Sequence, residues 1–395
     1  MSTALSISGA RSTTDISSSQ RIVNLDEDIK MVLPAAAPFT TLLQQTRKRA
    51  TGDPKFKWFE DDLKPRFDAI NDGGGYTSSA TSLTVDNGTY FAEHDIVLIT
   101  RTGEQIRVTQ VVGNVLTVVR GVGTTSAAAI NNDDELMIAS SAQPEGDVAK
   151  TARSNNGTEV YNYTQIFREP YEVTQTSYVS ENETNPHDWD HLTAKKMMEH
   201  KRELELAGIF GQRSENTSGG EVRRTTAGLL AQITTNITDA GGAFTETEFN
   251  TAMRTAFSNK SGSGAGAKTK VAFGSPLATQ VLNSYPASKV QINTSGEAKG
   301  KYGIDFTTFT SPFGAIRLVT HWELTGTKYG GYLVIADMGN VEMRFLKGPK
   351  GSRDTHVRKE IQAPSADSRL DEVLTECGFQ VACDETHSIV SGITG

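Results

Sequence analysis

Three stretches of this chain carry residue types that can do chemistry. The first, Gly262-Ser263-Gly264-Ala265-Gly266-Ala267-Lys268-Thr269, is one substitution away from the glycine-rich loop that cradles phosphates. That loop needs a strand before it and a helix after it, so that the helix N-terminus faces the phosphate. Here the order is reversed: the sequence predicts a helix before the loop and a short strand, Val271-Ala272-Phe273, after it. Ala267 also replaces the last glycine, whose backbone freedom the loop requires, so the stretch reads as a helix-to-strand connection. The second is His187 and His191, four apart and beside Asp188 and Asp190. The spacing suits a metal, but the glutamate of an HExxH helix and a third ligand are missing. Polar residues in the first turn of a helix, where the dipole favours acidic groups, account for them better. The third is the Asn-x-Thr sequons at Asn162 and Asn182, which matter only in a secreted chain. Ser, His and Asp are scattered without a nucleophile elbow. The sequence therefore predicts no catalytic residue, no cofactor and no metal.

The 395 residues suffice for two or three domains with a buried core. At 36% hydrophobic and 22% charged the chain is neither disordered nor membrane-embedded by composition, and no apolar run has the length to span a bilayer. The polar start, MSTALSISGARSTTDISSSQ, lacks the basic patch and apolar core of a signal peptide and reads as an arm on a protein made in the cytoplasm. A net charge of −8 argues against tight, sequence-independent DNA binding, and Arg47, Lys48 and Arg49 form only one short basic run. Cys377 and Cys383, six apart, are too few for a disulfide framework. In one straight strand they would share a face yet stand too far apart to bridge. Two reduced, buried thiols are expected.

The elements follow from local signals. Pro34 and Pro38 split residues 24–50 into short helical pieces whose apolar residues, Ile29, Val32, Leu33, Phe39, Leu42 and Leu43, need a surface to cover. Lys55 to Glu60 alternates charge with aromatic bulk, a strand signal, and Tyr161 to Val179 has the same character. Between them, Asn71 to Ser79 reads as a flexible linker, and Leu83 to Ile138 is all strand and turn, with hairpin chemistry at Asp86-Asn87-Gly88 and Gly113-Asn114. That block predicts a small β-barrel or sandwich. Asn185 as N-cap and Pro186 at the first position open a long helix, Trp189 to Phe210. Thr245 to Glu248 has capping-box spacing before an apolar face of Phe249, Met253 and Phe257. Ser275-Pro276 starts another helix, running to Leu282. Strands are expected at 316–320, 332–336, 341–346 and 376–383.

The order so assembled resembles the α+β capsid fold of tailed bacteriophages and herpesviruses, the Hong Kong ninety-seven type. The phrases PFTTLLQQ, FKWFEDDL, NYTQIFREPYEVTQT and LTAKKMMEHKRELELAGIFG, followed by TAGLLAQI, resemble a family of phage major head proteins. The block FAEHDIVLITRTGEQIRVTQVVGNVLTVVRGVGTTSAAA is similar to a β-insertion carried by many of them. The resemblance covers roughly residues 24–390. It implies an N-terminal arm (1–53), an extended-loop hairpin (54–74 and 144–180) carrying an inserted β-domain (75–143), a peripheral domain with a long spine helix (181–224 and 346–395) and an axial domain (225–345). It further implies a structural major capsid protein, not an enzyme, that assembles with itself into hexamers and pentamers. These would close into an icosahedral head enclosing double-stranded DNA without sequence-specific binding, with scaffolding and portal proteins as partners and no membrane. Whether a decoration protein caps the shell stays open.

Arms and long hairpins cannot bury their own apolar faces, and exposed apolar patches mark interfaces. A free subunit is therefore expected to expose Trp58, Phe59, Ile166 and Phe167. With Phe39 and Leu42 of the arm, these are the candidate intersubunit contacts. Pairing of 55–60 with 161–179 is expected to form the ribbon that grips a neighbour. Two rivals are a β-rich surface adhesin or carbohydrate-binding protein, which a signal peptide or exposed aromatic platforms would favour, and an α/β enzyme, which needs a convergent titratable site.

Overall fold

The computed structural model describes residues 37–146, 156–180, 188–258, 269–285, 291–293 and 307–394. Ile29, Val32 and Leu33 of the arm, Asn182, Asn185, Pro186 and His187, and the glycine-rich loop through Lys268 lie outside the described residues. The chain divides into two units, one of residues 1–58 and 160–395 and the other of residues 59–159.

In the first unit the long helix Asp188–Phe210 runs for 23 residues and packs on a sheet whose order is Lys48–Thr51, Val341–Gly348, Ser368–Val381 and Gln165–Thr174. Strand Ser368–Val381 is its centre. It pairs antiparallel with 165–174 on one edge and with 341–348 and the short strand His356–Arg358 on the other. Residues 371–381 are buried without a break, as expected of a strand covered on both faces. The core here joins Phe39 and Leu43 of the helix Pro38–Thr46, Phe167 of the sheet, Leu204 and Ile209 of the long helix, and Phe379.

A second sheet of the same unit has seven strands in the order 237–243, 388–394, 333–336, 269–274, 315–320, 307–310 and 291–293. Two of its helices begin with the caps their sequences advertise. Thr245 Oγ1 accepts from Glu248 N at 3.3 Å while the Glu248 carboxylate accepts from Thr245 N at 2.7 Å, a reciprocal capping box opening helix Glu246–Ser258. Ser275 Oγ accepts from Ala278 N at 3.1 Å, opening Pro276–Asn283. Phe249, Met253, Phe309 and Ile316 fill the core between these helices and the sheet.

The two sheets divide the chain differently from the expected boundaries. Strand 341–348, which the expected boundary at 345/346 cuts in two, lies whole in the first sheet, and the C-terminal strand 388–394, expected in the peripheral domain, lies in the seven-stranded one. Pairing between strands distant in the sequence, 237–243 with 388–394 and 48–51 with 343–346, decides this, and no local signal reports it.

The second unit is a six-stranded sheet in the order 67–69, 135–141, 95–99, 105–112, 115–119 and 82–84. Its two end strands meet: Asn71 N donates to Thr84 O at 3.0 Å, Asp86 N to Ala69 O at 3.1 Å, and Ile70 bridges Val85. The sheet is thus closed into a barrel around Leu83, Val97, Ile99, Ile106, Leu116 and Leu136, and closure removes the edges on which open sheets aggregate. The wall begins at Phe67, ahead of the expected start at 75. Residues 71–79 are no flexible linker either: Tyr76 bridges Ile130, and its hydroxyl accepts from Thr84 N at 2.9 Å.

One buried ion pair pins the barrel loops. Arg120 Nε and Nη2 donate to the two Glu104 oxygens at 2.7 Å each, and Arg120 also reaches the carbonyls of Thr77, Ala80 and Ala128. Glu104 accepts further from Gly121 N and Ala128 N. Burial pushes the Glu104 carboxyl up, but Arg120 and the two amides outweigh it and hold the group below its ordinary value. With its own core, closed wall and satisfied polar centre, residues 59–159 expressed alone are expected to unfold in one cooperative thermal transition. A broad, non-cooperative melt would overturn this.

Candidate assembly surfaces

The strand Lys55–Glu60 pairs with Thr158–Tyr163 as a two-stranded ribbon. The expected longer ribbon does not form, because Gln165–Thr174 turns instead to the central strand Ser368–Val381. Alternation then sorts the candidates. In 55–60, Phe56 and Trp58 point inward and stack at 6.0 Å, while Phe59 points out. In 165–174, Phe167 and Tyr171 point inward and Ile166 points out. A strand sends neighbouring side chains to opposite faces, so Trp58 and Phe59 cannot share a surface, nor can Ile166 and Phe167.

The exposure expected for Trp58 and Phe167 is therefore corrected: they are 8% and 1% exposed within their own subunit. Phe39 and Leu42 are likewise covered by the chain that carries them, at 0% and 6%. Phe59 at 73% and Ile166 at 52% are open to solvent. The period-two reading that identified the strands already contained this sorting. It could not say which face the subunit covers.

The arm helix is held by a site the sequence did not advertise. Glu205, on the long helix and 1% exposed, accepts from Phe39 N at 2.9 Å and Thr40 N at 2.7 Å, filling the role of an N-cap that Ala37 cannot play. His321 Nε2 lies 2.8 Å from the same carboxylate. One turn along the helix, Gly208 makes room for the ring of Phe39: a Cβ there would stand 2.8 Å from Phe39 and 3.1 Å from Phe379. Phe39 in turn meets Phe273 edge-on at 5.6 Å. The only signal for Glu205 was a glutamate in the apolar last third of the helix, ELELAGIF.

Asn162 is a second such node. Its amide nitrogen donates to Ala227 O at 3.0 Å and Phe379 O at 2.6 Å, and its oxygen accepts from Ala227 N at 2.9 Å. It ties the ribbon strand to the loop after the long helix and to the central strand. At 0% exposure this sequon asparagine is a buried structural amide.

Two histidines are kept neutral by burial. His200 Nε2 lies 2.7 Å from Thr375 Oγ1, and its Nδ1 is buried with no partner. His387 Nδ1 accepts from Asp337 N at 3.1 Å, so a proton there would face a donor. Burial lowers both from 6.5 to about 4. Above pH 6.5 both folded and unfolded chains hold neutral imidazoles, and the stability is fully present. Below it the unfolded chain takes up protons the folded chain refuses, so stability falls until about pH 4, by about 3 kcal/mol per histidine. Denaturant midpoints measured across this window should drop steadily, with imidazole NMR signals of the folded protein unprotonated to about pH 4. Early protonation in the folded state would refute the assignment.

Cys377 is buried in the central strand, where burial pushes its thiol up, whereas Cys383 lies past the strand end, half-buried, with φ of 55°. Neither is in a disulfide, and they do not share a strand face. His191 Nε2 is buried without a partner, and among the described residues no group of three or more His, Cys, Asp or Glu is placed to hold a metal ion.

An arm helix clamped to a long spine helix, a spine crossing a sheet that includes a late strand, a two-stranded ribbon and a second sheet bearing its own helices define the Hong Kong ninety-seven type of capsid fold. The solved "Capsid of native GTA particle computed with C5 symmetry" is similar over 98% of this chain and 100% of its own, with a TM-score of 0.52 at 11% identity, a likeness of fold. The SU10 major capsid protein family matches residues 8–394, and the chain belongs to that family. A curated relative, the major capsid protein of Pseudomonas phage PaMx41, is 35% identical over 156 residues. The match spans 40% of this chain and 37% of that relative's length.

Proposed function

We propose that copies of this chain associate as hexamers and pentamers and close into the icosahedral head that encloses a tailed phage's double-stranded DNA. The observation that carries this reading is the family match across nearly the whole chain. A net charge of −8 fits a shell that surrounds DNA without gripping a sequence. In this reading residues 1–53 form the arm, the ribbon at 55–60 and 158–163 is the base of the extended loop, and the barrel at 67–141 is an insertion projecting from the outer surface. The first sheet with its long helix serves as the peripheral domain and the seven-stranded sheet as the axial one. The subunit is made in the bacterial cytoplasm, and scaffolding and portal proteins take part in assembly.

Phe59 and Ile166 are the contacts offered to neighbouring copies, since each is a large apolar side chain left in water. Electron microscopy of the purified full chain is expected to show shells, tubes or capsomer-sized rings, with scaffold where needed. Phe59→Ser with Ile166→Ser should move the subunit's unfolding free energy by no more than about 0.5 kcal/mol, as exposed substitutions do, while reducing assembly. A chain that stays monomeric at high concentration under every salt and scaffold condition would overturn the proposal.

A further inference from the structure

Two exposed features of this chain complement each other. Residues 344–359 carry six cations (Arg344, Lys347, Lys350, Arg353, Arg358 and Lys359) against the one acid Asp354, a net +5 in a chain whose total is −8. Lys48 already occupies Asp354, and Arg353 pairs with Glu376. The segment folds around a cleft of about 580 Å³ whose rim carries Lys350, Arg353, His356 and Arg358 and whose apolar lining includes Leu346 and Leu374. The second feature is Phe59-Glu60-Asp61-Asp62-Leu63. Three carboxylates stand between two apolar side chains that are 73% and 95% exposed, and Asp61 and Asp62 are open to solvent.

We propose that the segment Phe59–Leu63 of one copy of this chain seats in the basic cleft of a second copy. Its carboxylates meet Lys350 and Arg358 at the rim, and Leu63 or Phe59 covers the apolar lining. The inference rests on the proposed self-assembly and names a contact that performs it. A nucleic acid backbone fits less well, because phosphates satisfy the rim but leave the half-buried Leu346 and the exposed Pro349 uncovered, whereas this segment brings both kinds of group. Charged pairs of this sort set partner choice and encounter rate more than affinity. They weaken with salt when exposed.

A charge-swap experiment on the full chain tests it, with assembly followed by light scattering and electron microscopy and folding by thermal melts. Asp61→Lys with Asp62→Lys is expected to slow assembly by about tenfold or more, and so is Lys350→Glu with Arg358→Glu. Combining all four reverses both partners together and should restore most of the rate. Because Arg358 lies near Glu372, Lys350→Glu alone against Asp62→Lys provides a second swap should the fuller variant melt early. Wild-type protein that assembles while both single-sided variants assemble equally fast would overturn this contact and leave the capsid function standing. Loss on both sides without recovery in the swap would overturn it too. A cleft variant that assembles normally but loses only DNA retention would show the occupant to be phosphate. Failure of the wild type to assemble at all would remove the proposed function along with the contact.

Discussion

Phe167→Ala should destabilise the isolated subunit by about 3–5 kcal/mol, the usual cost of deleting a buried phenylalanine. The ring is 1% exposed in the core that unites the arm helix, the long helix and the central strand. Little is left over at this scale, since whole domains are stable by only about 5–15 kcal/mol. Trp58→Ala, at 8% exposure on the inner face of the ribbon, belongs to the same class. Urea titration of monomeric protein under non-assembling conditions reads the effect directly. The adjacent Ile166→Ala is the control, because its side chain points to water and should shift the midpoint little. Loss of assembly by Phe167→Ala with an unchanged urea midpoint would mean that the ring grips a neighbour and not its own core.

Glu205→Ala is expected to cost about 3–5 kcal/mol as well, by a different route. The carboxylate receives the amides of Phe39 and Thr40 and the ring of His321, all of them buried. Removing it strands two helix N-terminal donors and an imidazole whose other nitrogen is already unpartnered, and buried groups left without partners carry their full desolvation penalty. Glu205→Gln keeps one acceptor oxygen and should lose roughly half as much. Limited proteolysis distinguishes this from a general loosening. Cleavage near residues 38–46 should rise well before the melting of the long helix, as the arm is released. Equal protection of the arm in Glu205→Ala would show that Phe39 packing beside Gly208 suffices to hold it.

Local structure was largely legible. The long helix, the reciprocal cap of Thr245 and Glu248, the Ser275-Pro276 start and the alternating strands all depend on interactions within a few residues, which side-chain type and spacing report directly. Phe39, Leu42 and Leu43 of the arm also read correctly as needing a surface. What went astray was the identity of that surface. Exposed aromatic bulk on arms and ribbons suggested neighbours, yet the subunit covers Phe39, Leu42, Trp58 and Phe167 itself.

Sequence alone determined the menu of elements and, through the period of two, which residues must lie on opposite faces: Trp58 against Phe59, Ile166 against Phe167. Tertiary structure decided which of those faces is buried, that 165–174 pairs with the late strand 368–381 and not with 55–60, that the barrel wall starts at Phe67 and closes through Ile70 and Val85, and that Glu205 and Asn162 serve as internal partners of backbone groups. The physical reason lies in where the partners come from. A helix cap or an alternating strand is satisfied by its own neighbours, but Glu205 reaches 165 residues back to Thr40 and Asn162 reaches 217 residues forward to Phe379. Nothing in the local sequence specifies which distant carbonyl or amide will be left without water, and only the assembled fold brings these groups together.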